Sequence, residues 1–260
     1  ANSVKYCDDH RENIIDDYCA LLAATELYAA AKKPEYLQAA RARAKALVAR
    51  IAKDDAGSGW WRADDDGKRP FWHVVDAGLP VVALCRYMDI EPEAENKAPA
   101  RQAVLDSLRF ELDITAGAPN AFGLARQYVN DVGGSKRLAF FMPHKNESGY
   151  WWLGGNSRLA SLAAAAFMAT KVAPPSTAGE LKAYAADQLN WICGLNPFDM
   201  CMLQGKGRNN PGDYEVGAPH PAGGICNGIT SGVDDEHDIA FAPAPYGGRA
   251  DWSWRWKEQW

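Results

Sequence analysis

Apolar residues along most of this chain repeat at the helical period. Ile14, Tyr18, Leu21, Leu22, Thr25 and Tyr28 fall at i, i+4, i+7, i+8, i+11 and i+14, one stripe that predicts a helix from about Glu12 to Ala31. Pro34 has the fixed φ that suits a first helical turn, and Tyr36, Ala40, Ala44, Leu47, Val48 and Ile51 form the next stripe. Further helices are expected from about Val74 to Met88 (Val75, Leu79, Val82, Ala83), from near Pro99 (Val104, Leu105, Leu108, Leu112) and from about Ser157 to Thr170. A last one begins at Thr177, which makes a capping box with Glu180, and runs to Cys193. No segment shows the two-residue alternation of a strand. The order is helix, short turn, helix, long polar loop. It predicts an all-α chain of antiparallel hairpins, with the loops 54–70, 131–155 and 196–250 gathered at one rim. Long loops in a compact helical domain are usually functional.

The charge pattern narrows the partners. The 28 Lys and Arg are scattered and the net charge is −5, so a surface that tracks phosphates, and with it nucleic acid, is not expected. No run of about 18 apolar residues occurs, so no membrane span is expected. The first residues carry no apolar signal region. With 260 residues, 47% of them hydrophobic, the chain is read as a single domain over 1–260. Six cysteines (Cys7, Cys19, Cys85, Cys193, Cys201, Cys226) include no C-x-x-C pair, which removes the usual zinc and redox readings. Cys85 and Cys193, in apolar helical stretches, are expected to be buried free thiols. No cofactor and no metal are called for.

Ten tryptophans exceed what one core needs. The surplus clusters as Trp60-Trp61, Trp151-Trp152 and Trp252/Trp254/Trp256, in glycine-rich or polar loops, which suggests a lined groove more than a packed interior. Phe71-Trp72-His73 puts an aromatic pair and a histidine at a loop-to-helix junction, where sugar contact and helix capping are both open. In Gly149-Tyr150-Trp151-Trp152-Leu153-Gly154-Gly155 the glycines let backbone approach a ligand, and three adjacent aromatics cannot all face one core. Asp16 and Asp17 lie further into the first helix than a simple cap requires. Near the C-terminal end, Asp234-Asp235-Glu236-His237-Asp238 and a Trp-rich stretch around Glu258 supply carboxylates beside stacking surfaces, as a sugar-cleaving site requires.

Five segments, in order, resemble the family 9 glycoside hydrolases. Asp16-Asp17-Tyr18 through Tyr36-Leu37 is similar to that family's Asp-Glu-Leu helix ending in Tyr-Leu, and Asn120-Ala121-Phe122-Gly123 to its Asn-Pro-Phe-Gly turn. Trp152-Leu153-Gly154-Gly155-Asn156-Ser157 is similar to its Trp-Gly-Ser-Asn turn, and Cys193-Gly194-Leu195-Asn196-Pro197 to its Leu-Gly-Arg-Asn-Pro turn. Gly223-Gly224 through Asp238 is similar to its Gly-Gly-Pro and Asp-Asp-Arg-x-Asp-Tyr stretch.

The resemblance implies an (α/α)6 barrel and inverting hydrolysis, in which one carboxylate activates water while a protonated one donates to the leaving oxygen. It implies an oligosaccharide or polysaccharide substrate with β-linked glucosyl or glucosaminyl units. Glu258 stands as the general acid, and Trp72, His73, Tyr150, Trp151, Trp152, His220, Asp16 and Asp17 as substrate contacts. Three features depart from the family pattern. The Asp-Ala-Gly-Asp motif of the water-activating aspartates is absent, only His220 represents a His-His-Arg motif, and no glutamate directly follows Asp238. About seven helices are too few for a ring of twelve. The chain is therefore expected to be the C-terminal half of an incomplete barrel, completed by an N-terminal half or another chain that carries the base. A secreted or periplasmic compartment suits such an enzyme, though the sequence does not fix it. Two rival readings are a non-catalytic glycan-binding helical toroid and a toroid-fold polysaccharide lyase.

Overall fold

The computed structural model of the chain describes residues 13–65, 69–143, 154–210 and 222–229, together with the backbone of 145–146 and 149–150. Six helices dominate the described residues: α1 (Ile14–Ala31), α2 (Pro34–Val48), α3 (Leu79–Ile90), α4 (Ala94–Ala116), α5 (Asn156–Ala169) and α6 (Pro175–Ile192). The expected helical character is present. The expected absence of strands is not, because three two-stranded antiparallel hairpins occur. They are β1 (Ile51–Asp54) with β2 (Gly57–Trp61), β3 (Gln127–Asn130) with β4 (Lys136–Ala139), and β5 (Lys145–Asn146) with β6 (Gly149–Tyr150). Strands of two to five residues are too short to display an alternating pattern.

The chain groups into two compact units. The first comprises Ala1–Phe71, Gly78–Asp113 and Ala164–Lys182, and the second Trp72–Ala77, Ile114–Ala163 and Ala183–Trp260.

In the first unit the stripe of α1 is buried as its spacing requires. Ile14, Tyr18, Leu21 and Thr25 are enclosed, with Ala40, Ala44 and Leu47 of α2 among the buried residues of the same unit. Asn13 caps α1 by accepting from the N–H groups of Ile15 and Asp16, and Asp16 returns the bond to the Asn13 N–H, a reciprocal capping box. Ile51 does not extend α2. It opens β1, whose hairpin partner brings Trp60 and Trp61 into the core at 3% and 7% exposure. Those two indoles therefore pack the interior instead of lining a groove. Gly59 permits it: a Cβ there would stand 2.3 Å from the Asp106 carbonyl of α4.

The remaining boundary shifts have local causes. α3 begins at Leu79, not near Val74, because the N–H groups of Val75 and Asp76 are taken by the His73 side chain and not by a helical turn. Val75 is accordingly exposed. α4 starts five residues before Pro99, with the Glu93 carbonyl accepting from Asn96 and Lys97. α6 starts at Pro175, so Thr177 lies inside it and caps nothing; a proline is pre-shaped for a first turn. Cys85 is buried as expected, whereas Cys193 is exposed, and both are free thiols.

Charges tie the first unit together. Asp17 is fully enclosed between Arg50, which bonds it directly, and Arg43 at 3.5 Å. Arg50 also reaches Asp65 at 3.1 Å. Glu91 accepts two 2.7 Å bonds from the Arg41 guanidinium, one from the Tyr87 hydroxyl at 2.8 Å and one from the Glu93 N–H at 2.9 Å. The guanidinium above all holds the Glu91 carboxyl down to about 2, while burial, reinforced by Glu91, pushes the Tyr87 hydroxyl up.

Candidate functional site

The described residues of the second unit are mostly turns and irregular chain, and polar side chains bond their backbone. The Asn120 side chain closes its turn by donating to the Leu124 carbonyl at 2.8 Å and accepting from the Leu124 N–H at 3.0 Å. Gln188, fully buried on α6, accepts from the Ala125 N–H and donates to the carbonyls of Gly123 and Tyr184. Gly123 has φ +63° and lies against Asp187, whose carboxyl is pushed up by burial. In the next turn, Asn196 donates to the carbonyls of Trp191 and Met200 and accepts from the N–H groups of Phe198 and Met200. Trp191 is buried and meets Phe122 edge-on at 5.8 Å.

A third tie joins the glycine-rich segments. The Asn156 N–H donates to the Asn227 carbonyl at 2.9 Å and its side chain donates to the Cys226 carbonyl at 2.8 Å. A Cβ on Gly154 would stand 2.2 Å from the Asn227 and Gly228 carbonyls, and one on Gly228 (φ +95°) 2.4 Å from the Asn156 side chain. Both positions therefore require glycine. Leu203 bridges to Ile225 in the same region, and burial pushes the Cys226 thiol up to about 11.

These ties frame a recess lined by Val74, Leu124, Gln127, Phe140, Phe141, Met142, Gly155, Arg158, Leu159, Trp191 and Ile229. Val74 adjoins Trp72-His73, Leu124 follows the Asn120 turn, and Gly155 belongs to the Gly154–Asn156 segment. Trp191 precedes the Cys193–Pro197 turn, and Ile229 follows Gly228. Residues in or directly beside five segments singled out in the sequence thus line one place. Arg158, itself buried, donates to the carbonyls of Ala125 and Phe140, fixing the wall between α5 and the β3–β4 hairpin. Apart from Gln127 and Arg158 the walls are mainly apolar, and the cavity holds about 10 Å³, enough for one small group.

The expected site residues fall into three sets. Trp72 and His73 are in the second unit, next to the recess-lining Val74, and both are partly exposed. His73 Nδ1 accepts from the Val75 and Asp76 N–H groups at 3.2 and 3.0 Å, so the ring caps this turn. Asp16 and Asp17 are in the first unit, where Asp16 caps α1 and Asp17 is sealed by arginines. Tyr150 is described only as backbone in β6, and Trp151, Trp152, His220 and Glu258 lie outside the described residues, as does the 234–238 cluster. Gln127, Asn156 and Arg158 were not singled out for the site. Asn156 stood inside a quoted motif; Gln127 and Arg158 gave no sequence signal, because a lone Gln or Arg does not reveal what its amide or guanidinium will meet.

A family model described as glycosyl hydrolase family 9 matches residues 2–220. That span takes in the Asp16, Asn120, Trp152 and Cys193 segments; the 234–238 cluster and Glu258 lie beyond it. No curated protein matches the chain.

Proposed function

The chain belongs to glycosyl hydrolase family 9, and from that premise we propose an inverting glycosidase that cleaves β-linked glucosyl or glucosaminyl chains. Hydrolysis of glycans follows from the family; the sugar, the stereochemistry and the residue roles are the proposal. The observation that supports it is the recess, where the Trp72, Asn120, Gly154, Trp191 and Gly228 segments meet in one unit. A recess where several segments with polar and glycine turns meet is a place where a ligand can bind.

In this reading Glu258 is the general acid. Apolar indoles crowd it in sequence, and such neighbours favour the protonated carboxyl needed to donate to the leaving oxygen. The base is a carboxylate supplied from outside these 260 residues, on the far side of the sugar ring. In inverting enzymes the two carboxyls stand roughly 6.5–9.5 Å apart, leaving room for the attacking water. Trp72, Tyr150, Trp151 and Trp152 offer ring faces for stacking, and His73 and His220 offer hydrogen bonds. The architecture proposed is an (α/α)6 toroid, completed by an N-terminal half or a second chain. Asp16 and Asp17 serve it as the cap and the buried anchor of α1.

The test is turnover of cello-oligosaccharides and chito-oligosaccharides by this chain together with the part that carries the base, with the anomer of the fresh product read by NMR. Inverted product is expected. Retained configuration would remove the two-carboxylate inverting scheme, and an unsaturated, ultraviolet-absorbing product would make the protein a lyase. Binding without turnover when the base-bearing part is present would leave a glycan-binding toroid.

A further inference from the structure

Gln127 opens β3 and forms part of the recess wall. Its backbone is paired in register with Ala139. Its side chain is 6% exposed, yet Oε1 has no hydrogen-bond partner. A buried amide oxygen gives up its water on folding and normally receives a donor in exchange. Nη2 of the nearby Arg158 donates to the carbonyls of Ala125 and Phe140. The other walls, among them Leu124, Phe141 and Trp191, are apolar.

We infer that Gln127 reads one hydroxyl group of the bound sugar, which enters the recess and donates its proton to Oε1. The inference rests on the glycosidase reading and adds a residue to it. Size and polarity choose the group. A cavity of about 10 Å³ matches one small group such as a hydroxyl. A hydrogen or a methyl would leave Oε1 unpaired, and fluorine would set an acceptor against it. An ammonium would meet apolar walls and the positive charge of Arg158. The recess therefore separates a hydroxyl from each of these substituents at one ring position.

Titration calorimetry with cellobiose and its monodeoxy analogues tests this on the full chain and on Gln127→Leu. Gln127→Leu is expected to weaken cellobiose binding by about tenfold, the scale of one lost hydrogen bond. One monodeoxy analogue should bind the native protein as weakly, and Gln127→Leu should weaken that analogue no further. The unliganded variant should melt no lower than the native protein, since an unpaired acceptor has been removed. The opposite pattern overturns the inference: unchanged cellobiose binding with a lowered melting temperature means that Oε1 is satisfied by a structural water. If Gln127→Leu fails to fold, Gln127→Met carries the same test with a more adaptable side chain. If the native protein binds neither cello- nor chito-oligosaccharides, the glycosidase reading falls and takes this inference with it. If the native protein binds and every analogue loses equally, only the role of Gln127 falls.

Discussion

The two units hold themselves together by different means. In the first, side chain pairs with side chain: Asp17 with Arg43 and Arg50, Glu91 with Arg41 and Tyr87, Glu26 with Arg86. In the second, beside the less buried ion pairs Asp131–Arg137 and Asp199–Arg208, neutral amides bond backbone: Asn120, Gln188, Asn196 and Asn156 each hold carbonyls or N–H groups of a turn. The cause is the backbone. Helices satisfy their own N–H and C=O groups, so the charged side chains are left to find one another. Turns leave backbone groups unpaired, and an amide that both donates and accepts is the group that answers them. Irregular chain can thus be fixed in place without regular structure, which is what a ligand-facing wall requires.

If that division is also one of labour, chemistry and stability should respond to different substitutions. The largest effect belongs to the acid. In the enzyme that includes the base, Glu258→Gln keeps the shape of the side chain and removes the donor, so turnover should fall by about 10²–10⁴-fold while oligosaccharide binding and melting temperature hardly move. Should that variant stay active while Glu236→Gln or Asp238→Asn does not, the acid lies in the 234–238 cluster.

Asp17→Ala should show the reverse. It leaves the buried Arg50 without its enclosed carboxylate, with the exposed Asp65 still in reach, and breaking an enclosed ion pair costs about 3–5 kcal/mol. Denaturant midpoints should drop accordingly, with turnover per folded molecule unchanged. A loss of sugar affinity at native stability would instead put Asp17 in the binding site and erase the contrast between the units.

The same contrast explains what could be read from sequence. The stripe Ile14, Tyr18, Leu21, Thr25 announces its buried face because each residue repeats the message of the last. Trp60 and Trp61 misled for the opposite reason. Their glycine-rich setting resembles a binding loop, and only the approach of Gly59 to the Asp106 carbonyl shows that the glycines serve packing. In the second unit the turns at Asn120 and Asn196 were recognisable as motifs, but their convergence with Val74 and Ile229 was not. Neither period nor composition encodes which turns meet. Gln127 was invisible for a further reason: its interest lies in a partner it lacks.

The glycines of the second unit give the next prediction. Gly228→Ala adds a methyl group to backbone at φ +95° and drives it to 2.4 Å from the Asn156 side chain. Overpacking of this kind costs about 1–3 kcal/mol, and the positive φ adds roughly 1–2 kcal/mol. Removing the obstruction should return part of that loss, so Gly228→Ala combined with Asn156→Ala should be less destabilised than the sum of the two single changes. Additive losses in the double-mutant cycle would show that Asn156 and Gly228 do not share a contact in solution.

The smallest effect tests the charged half of the contrast through pH. The Glu91 carboxyl lies near 2, down from 4.5, chiefly because Arg41 bonds its charged form. A carboxyl whose folded value is lowered stabilises the protein fully above its unfolded value and loses that contribution as pH falls through the folded one. The stability lead of the native chain over Glu91→Gln should therefore be constant above about pH 4.5 and shrink toward pH 2. Arg41 is partly exposed, so solvent screens the pair and the lead should sit near the low end for a bond to a charged group, about 1.5 kcal/mol. Urea midpoints of both proteins across this range measure it. A lead that persists undiminished to pH 2 would mean that Glu91 acts by shape and neutral hydrogen bonding, and the first unit would then resemble the second more closely than its ion pairs suggest.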